Sequence, residues 1–384
     1  MNFNYKFLFF IVIISLSSCK NDQKKLPTDF PSTATVLKND YAKGFEVTDF
    51  RLYKVLTIKS PWPNSEKTYN YALIQKNMLS KITLNANDFD GIITIPIEKI
   101  IVTSTTHIPS LELLNVEKTL VGFPETNFIS SEKIRQLIDN GNVRELGKNE
   151  SINTEILLET KPDLVVGFGI DGNNKAFETI KNSGIPVIYN GDWVENSPLA
   201  KAEWIKFFGI LFNKEKDADS IFNSIEKNYL EAKSLALNVK NKPTILSGAM
   251  YKDIWYLPSG KSTEAQLLKD ANTNYLWKDS EGSGSLQLSF ESVFEKAKNA
   301  DIWLSPSNYS SLEALKNANI HNTMFKAFQN KSIYSFTNTT GKTGGILYFE
   351  LGMTRPDLVL KDLIKICHPE LLEDYEPSFF KPLE

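Results

Sequence analysis

The rhythm of apolar and polar positions changes several times along this chain, and each change predicts a different element. Residues 7–14 form an unbroken apolar run, extended by Ser15 and Leu16, that is too short to cross a bilayer as a stop-transfer helix. Residues 19–35 are polar, with Lys24, Lys25, Pro27 and Pro31, and predict a flexible tether. Over 36–96 the pattern turns β-like. Phe45-Glu46-Val47-Thr48-Asp49-Phe50 and Lys54-Val55-Leu56-Thr57-Ile58 alternate, and Pro61-Trp62-Pro63-Asn64 marks a turn between strands. No helix is needed there.

From residue 97 strands and helices take turns. Lys99-Ile100-Ile101-Val102-Thr103-Ser104 reads as a short strand, and Asp163-Leu164-Val165-Val166-Gly167-Phe168 as one apolar on both faces. Residues 97–198 therefore predict a parallel α/β lobe. Residues 199–237 carry no strand. Trp204, Phe207, Phe208, Ile210 and Leu211 cluster, then Ala218, Ile221, Phe222, Ile225, Tyr229 and Ala232 recur at helical spacing. Two helices, or one kinked connecting helix, fit this stretch. The strand–helix alternation restarts at Pro243-Thr244-Ile245-Leu246-Ser247, and 238–384 predicts a second α/β lobe whose element order weakly repeats the first. Two Rossmann-like lobes of related topology imply a cleft between them.

Charge and cysteine usage narrow the classes. A formal charge of −3, with only Arg51, Arg135, Arg144 and Arg355 as arginines, gives no footprint for nucleic acid. Leu16-Ser17-Ser18-Cys19 resembles a bacterial lipoprotein signal. That likeness implies removal of residues 1–18, acylation of Cys19 and stable anchoring of the mature chain in a membrane of the cell envelope, inner or outer. Cys367 then stands alone, in an amphipathic run that suits a buried thiol, and no disulfide can form within the mature chain.

Candidate chemistry is thin on the catalytic side. Bare metal capture is disfavoured, because His107, His321 and His368 are the only histidines and are far apart in sequence. Gly282-Ser283-Gly284-Ser285 misplaces the serine of a nucleophile elbow, and Gly341-Lys342-Thr343 lacks the earlier glycine of a phosphate loop. The positive signal is aromatic. Phe168, Trp193, Tyr251, Trp255, Tyr256, Trp277 and Tyr309 lie at strand ends or in the loops that follow. Such loops line the crevice of open α/β lobes, although these rings could equally be core. No catalytic residue, metal site or cofactor is assigned.

Glu159-Thr160-Lys161-Pro162-Asp163-Leu164-Val165-Val166, Ser183-Gly184-Ile185-Pro186-Val187 and Ala300-Asp301-Ile302-Trp303 resemble the helical-backbone (cluster A, class III) substrate-binding proteins of ABC importers. These serve ferric-siderophore, haem and cobalamin uptake. Ser104-Thr105-Thr106-His107-Ile108, Pro198-Leu199-Ala200-Lys201-Ala202-Glu203-Trp204 and Arg355-Pro356-Asp357-Leu358 strengthen the likeness, which runs from about residue 97 to 372. The resemblance implies a non-enzymatic, monomeric binder of an iron chelate or tetrapyrrole-like ligand that delivers it to an ABC permease. Two lobes facing each other across the connecting helix would place Thr105, Thr106, His107, Phe168 and Trp193 on one side of the cleft and Tyr251, Trp255 and Tyr309 on the other. Docking on the permease through one exposed glutamate per lobe falls to Glu178 and Glu264. The reading from another class is an exported surface hydrolase.

Overall fold

The computed structural model describes residues 34–172 and 174–384, so the leader and Cys19 lie outside the described residues. The β-like segment forms a sheet in the order β1 (Thr35–Leu37), β2 (Phe45–Asp49), β3 (Lys54–Lys59), β4 (Thr68–Gln75), β5 (Gly91–Ile95), antiparallel except for the last pair. Its alternation sends Val47, Leu56, Ile58, Leu73 and Ile93 into one core with Ile100 and Val102 of the next lobe. Two buried carboxylates fasten the chain just before β2. Glu203 accepts the backbone N–H groups of Asp40, Tyr41 and Ala42 at 2.9, 2.8 and 2.7 Å, and Glu195 accepts those of Lys43 and Gly44 at 2.8 Å each.

The first lobe runs β6 (Ile100–Val102), α1 (Ile108–Leu113), β7 (Leu120–Phe123), α2 (Glu132–Asp139), β8 (Arg144–Glu145), a small hairpin β9 (Gly147–Lys148) and β10 (Ser151–Ile152), α3 (Thr154–Thr160), β11 (Leu164–Gly167), α4 (Lys175–Asn182) and β12 (Val187–Tyr189). Its sheet has the order β12-β11-β6-β7-β8, all parallel.

The stretch 199–237 is not one connecting helix. It comprises α5 (Pro198–Glu203), α6 (Ile205–Leu211) and α7 (Glu215–Leu237), broken after Phe212 where Asn213 turns left-handed at φ 55°. The long element that joins the lobes is α7, of 23 residues and about 35 Å. Its apolar stripe divides between them, with Ala218, Phe222 and Ile225 in the first core and Tyr229, Ala232 and Ala236 in the second.

The second lobe runs β13 (Thr244–Ser247), β14 (Ala249–Tyr251), β15 (Ile254–Pro258), α8 (Thr263–Asp270), β16 (Asn274–Tyr275), β17 (Ser285–Leu288), α9 (Phe290–Ala297), β18 (Ile302–Leu304), α10 (Leu312–Ala318), α11 (Lys326–Gln329), β19 (Ile333–Ser335), α12 (Leu347–Leu351), α13 (Pro356–Cys367) and β20 (Lys381–Pro382). One sheet has the order β16-β13-β18-β19-β20, parallel but for β20, and β14-β15-β17 form an antiparallel sheet beside it.

The segment around α12 reaches back to the first lobe. Buried Glu350 accepts the N–H groups of Ser130 and Ser131 at 2.5 and 2.9 Å, and Thr343 donates to the Asn127 carbonyl at 2.8 Å. Gly345 allows this approach, because a Cβ there would lie 2.2 Å from the Phe128 carbonyl oxygen. The lobes are thus joined along α7 and latched by Glu350.

Candidate ligand cleft

Between the lobes lies a cleft of ≈ 760 Å³, within the usual size range of small-molecule sites. In the second lobe the strand order reverses between β13 and β18, and the carboxyl ends of both strands, at Gly248 and Ser305, open onto it. Trp193, Asn196 and Lys201 form the first-lobe wall, with Pro63 and Asn64 beside them. Tyr256, Phe336, Tyr348 and Phe349 supply aromatic surface opposite. Phe336 and Tyr348 stack with ring centroids 4.3 Å apart and planes 7° apart.

Charge in the cleft is sparse and sums to −1. Three lining side chains are charged, and one of them, Glu195, accepts hydrogen bonds from the backbone N–H groups of Lys43 and Gly44 and from the Trp204 indole. The other two are Glu264 and Lys201, the one cation of the lining. Behind Trp193, Asp192 accepts from the Thr106 hydroxyl at 3.2 Å and donates its N–H to Asn190 at 2.8 Å. Burial pushes the Asp192 carboxyl up to about 6, and Lys201 works in the opposite direction. Asp192 Oδ1, Asn190 Nδ2 and Trp193 Nε1 have no protein partner, so polar groups capable of further hydrogen bonds stand at this wall.

The residues expected at the cleft divide. Trp193 lines it, and Phe168 packs behind Trp193 at 5.5 Å without lining the cavity. Thr105 and Thr106 are half-buried and also sit back from it, because the short turn Thr105–His107 points the Thr106 hydroxyl toward Asp192. His107 is not a cleft residue. It is fully buried against Phe208, burial pushes its imidazole down to about 3, and neither ring nitrogen has a protein partner. Trp255 is also core, fully buried against Trp303 at 5.4 Å with its indole N–H on the Ser247 carbonyl at 3.1 Å. Strand alternation explains the difference: Trp255 turns inward on β15 and its neighbour Tyr256, on the opposite face, lines the cleft. Tyr251 is exposed on β14, Trp277 is buried, and Tyr309 packs against the second core; none lines the cavity. Glu178 is exposed on α4 and paired with Lys181 at 3.1 Å, whereas Glu264 borders the cleft at the start of α8.

Tyr256 stood among the strand-end aromatics without being assigned as a ligand contact, and Phe336, Tyr348, Phe349 and Lys201 were not predicted as site residues. Phe336 follows the end of β19 and was open to the strand-end rule; Tyr348 and Phe349 sit on a short helix whose position depends on the latch. Among the described residues no three His, Cys, Asp or Glu side chains gather to hold a metal ion.

Residues 100–340 match the family described as periplasmic binding protein. The chain belongs to that family. A lipoprotein of Methanocaldococcus jannaschii, uncharacterised, is 28% identical over 299 residues, covering 75% of this chain and 69% of its own. Among solved structures, a possible iron-binding periplasmic solute-binding protein of Staphylococcus epidermidis aligns with a TM-score of 0.56 at 20% identity, over 71% of this chain and 99% of that one. The periplasmic haem-binding protein of Vibrio cholerae aligns with a TM-score of 0.53 at 18% identity, over 68% and 99%. At such identities the likeness is one of fold, and it agrees with the two-lobed α/β architecture expected from the sequence. Family members bind solutes, and residues 34–95 precede the matched region.

Proposed function

We propose that this protein captures an iron chelate of the ferric-siderophore type between its lobes and delivers it to an ABC permease while tethered to a membrane through Cys19. The observation that carries the reading is the cleft itself: ≈ 760 Å³, with aromatic surface on both lobes and sparse charge. Three bidentate hydroxamates neutralise Fe³⁺, whereas three catecholates leave a trianion that one free lysine matches poorly. A hydroxamate-type chelate therefore suits the cleft better. Iron- and haem-binding proteins among the fold neighbours support the general class. Transfer to the permease would use exposed Glu178 and the cleft-edge Glu264.

Haem is the second reading, favoured by the Tyr256 and Tyr348 rings in the cleft, since tyrosine can ligate haem iron. Cobalamin has no specific observation of its own. A hydrolase is not favoured: His107 is core, His368 binds the Ala271 carbonyl at 3.0 Å and His321 packs on Phe290, so the cleft serines have no histidine base.

Native mass spectrometry of protein purified from iron-limited cells tests the proposal. The expected spectrum shows a one-to-one adduct with the mass of an intact iron complex. An adduct of free porphyrin iron would favour haem, and a cleaved product in the cleft would favour the enzyme.

A further inference from the structure

The loop between β3 and β4 belongs to a segment that precedes the family match, yet it reaches the cleft. Pro63 and Asn64 at its tip are exposed and line the cavity. The loop is held from behind. Trp62 is buried with its ring 5.2 Å from Tyr189 at the end of β12, and Lys67 Nζ lies 5.8 Å from the Trp62 ring centroid. Pro61 packs on Gly191, where an added Cβ would stand 3.1 Å from the Pro61 Cα. The loop closes on itself through Ser60 N–H to the Lys67 carbonyl at 2.9 Å and Ser65 N–H to the Trp62 carbonyl at 3.1 Å. Asn64 sits at φ 60°, a left-handed position that asparagine tolerates. An anchored base with an exposed, polar tip on a cleft wall is the construction of a recognition loop.

We infer that residues 60–67 form a specificity-determining loop of the ligand cleft, with Pro63 and Asn64 contacting the neutral, hydrogen-bonding periphery of the bound chelate. The inference rests on the reading of the cleft as a chelate site. Its basis is separate, because the loop comes from the β sheet and not from either α/β lobe. The Asn64 amide offers both a donor and an acceptor without charge, which matches the carbonyl and N–H groups around a hydroxamate chelate and gives no attraction to a polyanion.

Two variants test it against a ferric trihydroxamate and a ferric tricatecholate. Pro63→Ala with Asn64→Gly removes both side chains and keeps the left-handed position available. It is expected to weaken trihydroxamate binding about fivefold to tenfold, the effect of one or two lost rim contacts, with an unchanged melting temperature. Asn64→Lys is expected to shift the preference toward the tricatecholate. If the parent protein binds a chelate and both variants keep its affinity and its ratio between the two chelates, the loop has no part in recognition. If the parent binds neither chelate, the chelate reading of the cleft falls, and this inference with it.

Discussion

Trp193 and Trp255 show what a single residue reveals of its role before the fold is known. Both follow short apolar runs, and both were open to a cleft or a core reading. Trp193 stands on a turn after β12 with part of its ring in the cleft, whereas Trp255 is fully buried between Trp303 and Phe325. For Trp255 strand parity decides the outcome, and two adjacent aromatics, Trp255 and Tyr256, leave that parity undetermined in the sequence. The two residues should fail in opposite ways. Trp193→Ala should weaken chelate binding by about 1–3 kcal/mol while the apo protein melts close to the parent. Trp255→Ala should cost about 3–5 kcal/mol of stability and leave affinity per folded molecule unchanged. Urea unfolding beside equilibrium titration of each variant separates these outcomes, and a reversal would exchange the assignments. His107 was similarly ambiguous: following a strand end placed it near the cleft, but the short turn Thr105–His107 carries it into the core.

Local elements were legible where the pattern alone decides them. The parallel strands, the β-rich start and the amphipathic stripe of α7 all follow from periodicity. Long-range attachments do not. The run from Pro198 to Trp204 stood out as a motif, but Glu203 accepts N–H groups 161 to 163 residues away, a pairing no local pattern encodes. The α12 segment is the same kind of element. Its Glu350 is gripped by Ser130 and Ser131, with Glu112 near enough to share Ser131 through the serine hydroxyl, and Lys133 partly offsets Glu112. Burial, aided by Glu112, pushes the Glu350 carboxyl up to about 7 against the pull of the two backbone N–H groups. The latched state therefore binds a proton more tightly than the unfolded chain. The stability Glu350 contributes is full below its ordinary value near 4.5 and is lost as pH rises through about 7. Asp192, pushed up to about 6, acts with the same sign over a lower range. His107, whose imidazole burial holds at about 3, opposes both below its ordinary 6.5, so the melting temperature of the parent should fall most clearly between about pH 6 and 8, and Glu350→Gln should remove most of that fall. An identical slope in the variant would show that the latch does not titrate.

At the scale of the whole molecule, one helix of 23 residues shares its apolar stripe between two cores, and a second contact crosses at Glu350. The arrangement limits how far the lobes can part and holds the aromatic walls facing each other across ≈ 760 Å³. Family and fold were legible in the sequence because they depend on element order. The cleft walls were only partly so, because they join Asn64, Trp193, Tyr256 and Tyr348, residues from separate stretches that only the packed fold brings together. The central claim is that this cleft binds an intact iron chelate, and a titration of tryptophan emission tests it most directly. Purified protein should respond to a ferric trihydroxamate with saturable, one-to-one quenching, weakened in Trp193→Ala, and should return the chelate unaltered. A folded sample whose emission and melting temperature respond to no ferric chelate, haem or cobalamin, or one that releases a modified product, would contradict it.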